Sequence, residues 1–194
     1  FDTFASVAKV MVLSMSIMVL LFAAWLLGTW IVDPWELKDF HPAFFLPTVA
    51  AAFVCASALD HVGFRGPAYC AMGIGLITFF ITATILLHRL FFMEALSPAA
   101  MPLLSIMIAA PSNAGIAWFS LSDNSINPVQ YFIGGYVLLV FLVLVRLQLT
   151  IRQAPFSPAY WAYAFSISSL GIYVMHWISA GLASGTNVLN AIVL

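Results

Sequence analysis

Charge is scarce in this chain. Its 194 residues carry six Lys and Arg and seven Asp and Glu. That is 7% of the chain, against roughly a quarter in an ordinary soluble domain. So few charges cannot clothe a water-soluble fold of this length. The formal net charge of -1 leaves no basic face for a nucleic acid. Cysteine is scarce too: Cys55 and Cys70 both lie in apolar runs, where they read as small packing residues rather than a disulfide or a metal pair. His41, His61, His88 and His176 are too widely spread for the close ligand spacing of a zinc site. There is no glycine-rich phosphate loop, no carboxylate pair inside an apolar run and no Ser, His and Asp trio, so no cofactor or metal is expected. A basic segment leading into a short apolar core and a cleavage site is also missing, which excludes a signal peptide at the start. The chain opens at Phe1 and ends inside a fresh apolar run from about Val188, so both ends read as cut from something longer.

Apolar residues are abundant, at 64% of the chain, and the few charges punctuate them. Stretches 10–32, 40–59, 66–88, 95–122 and 124–145 hold no Asp, Glu, Lys or Arg, and a last such run follows Arg152. About 20 residues at about 1.5 Å rise each cross about 30 Å of hydrocarbon. In lipid every backbone N–H and C=O needs an internal partner, so these runs predict helices rather than strands. The expected spans are 7–32, 43–60, 67–90, 100–121, 128–149 and 159–181, in a single transmembrane domain of an all-α, multi-pass membrane protein. Short connections predict antiparallel neighbours. Lys38, Arg89, Arg146 and Arg152 fall on one side and Lys9 and Arg65 on the other, which turns the Lys38 side to the cytoplasm. Trp25, Trp30, Trp35, Tyr131, Trp161 and Tyr163 sit near run ends, as an interfacial aromatic belt requires.

The runs alternate in kind. Runs 7–32, 67–90 and 128–149 are bulky, with Leu, Ile, Val, Phe and Met throughout. Runs 43–60, 100–121 and 159–181 carry small and hydroxyl residues, among them Ser57, Ser112, Asn113 and Ser166, and two hold an internal proline, Pro47 and Pro111. Small residues allow close backbone approach or leave room for a lumen, and proline frees a carbonyl that neighbours or water must satisfy. The alternation predicts a lipid-facing outer layer around an inner layer that surrounds an axis. His176 is the one ionisable group well inside a small-residue run, and intramembrane ionisable groups are functional candidates. His41, His61, His88, Asp60, Asp123, Arg65 and Arg89 read as interfacial or solvated groups. The small-residue runs lack the buried acid of a proton-coupled pump and the acidic ring of a cation path. Hydroxyls, amides and backbone dipoles remain, a lining compatible with weak binding of anions.

Several stretches carry a resemblance. His41-Pro42-Ala43-Phe44-Phe45-Leu46-Pro47-Thr48-Val49-Ala50-Ala51, with Phe53 and Ala56-Ser57, resembles the fifth helix of the tellurite-resistance/dicarboxylate transporter family, of TehA type and related to plant slow anion channels. Leu86-Leu87-His88 with Ala95-Leu96-Ser97-Pro98 resembles the end of its sixth helix, Ile108-Ala109-Ala110-Pro111-Ser112 its seventh, and Tyr160-Trp161-Ala162-Tyr163-Ala164-Phe165-Ser166 the start of its ninth. After Gly171 the match departs, because Ile172, Tyr173, Met175 and Trp177 are bulky for a pore helix. The resemblance implies ten helices in five hairpins around a pseudo-fivefold pore, of which this chain would hold about helices four to nine and the start of ten. It implies a homotrimer in the cell membrane, a bacterial inner membrane, moving small inorganic or organic anions such as dicarboxylate, sulfite, halide or nitrate. It implies Phe165 as the pore gate, against the plainer reading of a packing phenylalanine, with Pro47, Pro111, Ser57, Ser112, Asn113 and Ser166 as kink or pore-lining positions. An intramembrane enzyme built on His176 and a non-transporting sensor remain the alternatives.

Overall fold

The computed structural model of the chain describes residues 2–33 and 36–183. Trp35 and the run from Val188 lie outside those residues. Six helices follow one another: α1 (Asp2–Val32), α2 (Ala51–His61), α3 (Arg65–Phe92), α4 (Ile106–Leu121), α5 (Pro128–Ile151) and α6 (Ala162–Ala183). With the turns that lead into α2, α4 and α6, each segment is long and apolar enough to cross a bilayer, and the described residues contain no strand. The chain is an all-α, multi-pass membrane protein.

The layers follow the alternation of residue size. Only 6%, 22% and 11% of the spanning stretches of α1, α3 and α5 are buried, against 56%, 67% and 28% for the spans ending in α2, α4 and α6. α4 is the hub and packs on α2, α3, α5 and α6, while α1 packs on α2. One face of α4 closes a core with α2 and α3 around Val49, Phe53, Ala110 and Ala114. Another closes a core with α5 and α6 around Phe119, Val137 and Tyr173. Small side chains make this possible: Ala109, Ala110, Ser112 and Ala117 are wholly buried. Glycine does the same at two contacts. A Cβ on Gly75 would lie 2.6 Å from the Phe53 ring, and one on Gly115 would lie 2.1 Å from the Tyr173 ring. Gly73 and Gly135 have nothing within 4 Å of such an atom.

Proline shapes the entries to the inner helices. Pro42 opens a 3-10 turn, Pro42–Phe44, and Pro47 sits in a π-helical turn, Leu46–Ala50, where the Ala51 N–H reaches the Leu46 carbonyl. Pro47 falls in the first turn of that segment, where a missing N–H has no intrahelical partner to lose. Pro47 thus stands at the entry to the α2 segment rather than as a kink inside a continuous α-helix. The segment before α4, Pro98–Ser105, is 3-10 with Pro102 inside it, while Pro111 is accommodated within α4 itself. α5 opens on Pro128, and the Asn127 side chain caps it by accepting from the Val129 and Gln130 amides.

Three sequence expectations change. Arg89 is no solvated cap: it is 4% exposed, and its guanidinium donates to the Lys38 carbonyl at 3.1 and 3.2 Å and to the Glu94 carbonyl at 2.7 Å. It ties the loop before α2 to the end of α3. Cys70 is exposed rather than packed, while the half-buried Cys55 does pack against the core of α2, α3 and α4. In the aromatic belt, Trp25 and Trp161 are exposed, but Trp30 packs on Phe44 at a ring separation of 4.9 Å. Replacing Arg89 with methionine keeps most of the bulk and strips three donors from the two carbonyls. The expected cost is about 2–4 kcal/mol, read as a lower unfolding midpoint in mixed micelles, and an unchanged midpoint would contradict the clamp.

Candidate functional site

α6 has two faces. Ser166, Ser169, Tyr173 and Ala180 are buried and point at α4, at the spacing of one helical stripe. Phe165, Ser168, Ile172, His176 and Ser179 form a second stripe at steps of three and four residues. On α2 and its π turn the matching stripe is Ala50, Val54, Ser57 and His61.

These stripes border two cavities. The first is an apolar groove of about 520 Å³ between α1 and α2, and Phe165 is its one contribution from α6. The ring is 37% exposed and shares the groove with Leu46, Ala50 and Val54. The second is a polar cavity of about 390 Å³ at the Arg65 end, lined by Asp60, His61, Phe119, Ser120, Asp123, Asn124, His176 and Ser179. Eleven residues separate Phe165 from His176, about 16 Å of helix rise, so one face of α6 spans from groove to cavity.

The polar cavity is closely bonded. The Ser120 hydroxyl donates to Asp60 at 2.8 Å and lies 3.2 Å from His61 Nδ1. His61 Nδ1 is 2.9 Å from the Ser57 carbonyl. His176 Nδ1 is 3.0 Å from the Asn124 side-chain oxygen, and its ring stacks on Phe119 at 5.4 Å. Asp123 and Asn124 both have positive φ, at 53° and 56°, which short polar side chains tolerate. The turn sends Asp123 to α3, where Arg65 grips it with two nitrogens at 3.0 and 3.1 Å, and Asn124 to α6. The Arg65 guanidinium holds the Asp123 carboxyl below its ordinary pKa. Asp60, His61 and Ser120 do assemble a Ser, His and Asp trio, but the carboxylate takes the serine proton and the histidine is turned to a backbone carbonyl. No base orients on a nucleophile there. Among the described residues no three His, Cys, Asp or Glu could hold a metal.

The sequence-derived residues divide. Phe165 reaches the groove. The buried Ser57 hydroxyl has no partner among the described residues, so it is a free donor on the α2 stripe. Ser112, Asn113 and Ser166 lie between helices instead. Ser112 donates to the Ile108 carbonyl at 2.7 Å, and Ser166 to the Ala162 carbonyl at 2.9 Å. The Asn113 amide donates to the Ala109 carbonyl at 2.8 Å and across to Ser169 at 2.9 Å, joining α4 to α6. A double-mutant cycle between Asn113→Ala and Ser169→Ala is expected to show a coupling of about 0.6 kcal/mol in unfolding, a usual value for such bonds in lipid. Zero coupling would break that assignment. The bulk after Gly171 is taken up in part by packing on α4 and α5: Tyr173 is buried, donating to the Gln130 side chain at 3.1 Å, and Trp177 packs on Tyr173 and Phe119. Ile172 and Met175 stay exposed. Sequence reading missed that His61, Asp60 and Ser120 share a cavity with His176, because only the α4 hub brings their helices together. The one available signal was that all sit at the same end of their runs.

The chain has known relatives. A family model described as SLAC1, voltage-dependent anion channel, matches residues 2–194. The tellurite resistance protein TehA homolog of Haemophilus influenzae is 26% identical over 159 residues, covering 82% of this chain and 48% of that protein. The S-type anion channel SLAH4 of Arabidopsis thaliana is 28% identical over 131 residues, covering 64% of this chain and 34% of that protein. The chain thus spans about half the length, or less, of these curated relatives. With a match over nearly its whole length, in an all-α membrane fold with the inner layer just described, the chain belongs to the SLAC1 family of voltage-dependent anion channels.

Proposed function

We propose that the complete protein carries small inorganic or organic anions across the membrane, along the faces of α2 and α6 that hold the two stripes and that α4 brings together, with Phe165 as its gate. The observation that carries this reading is the run of both stripes from apolar groove to polar cavity without one fixed charge between them. Fixed acids would trap a cation and fixed bases would hold an anion too long for fast passage. Here Ser57, Ser168 and backbone dipoles near the Pro47 turn would meet the ion, and the Phe165 ring would close a dry constriction. Asn113 acts one step back, bonding α4 to α6 through Ser169, while the Ser112 and Ser166 hydroxyls are taken up by carbonyls of their own helices and Pro111 lies with them inside the hub. Family membership supports the anion as cargo. Dicarboxylate, sulfite, halide and nitrate all fit a lining of this kind, and a homotrimer with one path per protomer is the assembly we favour.

The test is ion-substitution flux from liposomes holding the complete protein. Anion-selective flux is expected. Correctly inserted protein without anion flux would overturn the reading in favour of a sensor that has kept the fold.

A further inference from the structure

We propose that the polar cavity at the Arg65 end is a proton-dependent binding site for a small hydrated anion, held by His61 of α2 and His176 of α6. The inference rests on the anion-pathway reading and names a site within it.

His61 Nδ1 faces the Ser57 carbonyl, which can only accept, so the neutral ring keeps its proton on Nδ1. His176 Nδ1 faces the Asn124 oxygen, and the Asn124 nitrogen is oriented away toward the Ser179 hydroxyl at 3.5 Å. That ring too is a Nδ1–H tautomer. In both, Nε2 is the atom left to take a further proton, and protonation turns each ring from acceptor to donor on that edge. Both imidazoles border the same cavity of about 390 Å³, along with the Ser120 and Ser179 hydroxyls. That is room for a small anion with part of its water.

Charge then sets the sign. The groups facing the histidines are Asp60 on α2, Asp123 after α4, and Arg65 at the start of α3, bonded to Asp123. α1, packed on α2, carries Lys9, which is exposed and outside the cavity lining. With both imidazoles neutral, Asp60, Asp123 and Arg65 leave the mouth at a formal charge of -1. With both protonated it becomes +1. The cavity therefore repels anions in the first state and attracts them in the second.

The test uses the complete protein in detergent, with nitrate as the probe and no flux required. Nitrate affinity is expected to rise about tenfold between pH 8 and pH 5.5, and saturating nitrate to raise the histidine titration midpoints seen by imidazole NMR, as reciprocal linkage demands. The H61Q/H176Q double variant should lose the pH dependence. D60N should bind nitrate more tightly than the parent at pH 8, a gain that misfolding cannot produce. A pH-independent nitrate affinity in the parent protein, or a pH dependence that survives in the folded double variant, would overturn the site. Flux without pH-dependent binding would leave the pathway standing and remove the site. Binding without flux would do the reverse.

Discussion

Replacing Phe165 with alanine in the complete protein is expected to raise anion conductance by roughly five- to twentyfold. The ring is only partly exposed and shares its groove with Leu46, Ala50 and Val54. On the proposed pathway the ring must leave those apolar contacts to let an ion by. Full burial of a phenylalanine side chain is worth about 1.5–3 kcal/mol, this partly exposed ring about two thirds of that, and each 1.4 kcal/mol of barrier is about a factor of ten in rate. Alanine removes the ring and with it that barrier. Phe165→Leu should fall between the two, because it keeps apolar bulk in a smaller volume. The reversal potential should hardly move in either variant, since a dry gate controls passage rather than choice of ion. Whole-cell currents normalised to surface protein make the measurement. Unchanged current with normal surface protein would return Phe165 to the role of a packing residue.

The second large effect concerns how α6 is held. Gly115→Ala should destabilise the protein by about 2 kcal/mol, while Gly135→Ala should not destabilise it at all. A methyl on Gly115 would lie 2.1 Å from the Tyr173 ring, far inside contact distance. The ring is not free to swing away. Its hydroxyl donates to the Gln130 side chain at 3.1 Å, and the Gln130 amide donates back to the Gly115 carbonyl at 3.0 Å. Residues from α4, α5 and α6 thus meet at one buried point, and Gln130 is wholly buried there. Moving Tyr173 would disturb both bonds. Overpacking of this kind costs about 1–3 kcal/mol, more than the helix propensity gained by alanine over glycine, at about 1 kcal/mol. Gly135 has open space where its methyl would go, so only the propensity gain remains. Unfolding in mixed micelles with increasing denaturing detergent would compare the two. Equal midpoints would mean that the Tyr173 contact yields more easily than its hydrogen bonds indicate.

His61 and His176 show why part of the site was hidden from the sequence. They lie 115 residues apart, and nothing in spacing links them. They meet because α4 seats both α2 and α6, and because the Asp123–Asn124 turn sends one side chain to each side. Arg89 was hidden for a similar reason. A basic residue near a run end looks ready to snorkel, and only the loop carrying Lys38 and the Glu94 carbonyl make burial tolerable. Ser112, Asn113 and Ser166 read as lining from composition alone, but a small polar residue in lipid serves a lumen or a helix contact equally well. Which one depends on where its helix is rotated, and that is set by Tyr173, Gly115 and Gln130 packing together.

Long-range partners were out of reach, yet the sequence by itself determined the class of protein, the six crossings and the alternation of outer and inner helices. Those follow from local rules. A charge-free run long enough to span hydrocarbon must close its own backbone hydrogen bonds, and bulky or small side chains sort a helix toward lipid or toward other helices. Only the tertiary structure decided which face of each inner helix is buried, which residues clamp it and which pair of histidines shares a cavity. Those depend on helix rotation about its own axis, which is fixed by contacts between residues far apart in the chain.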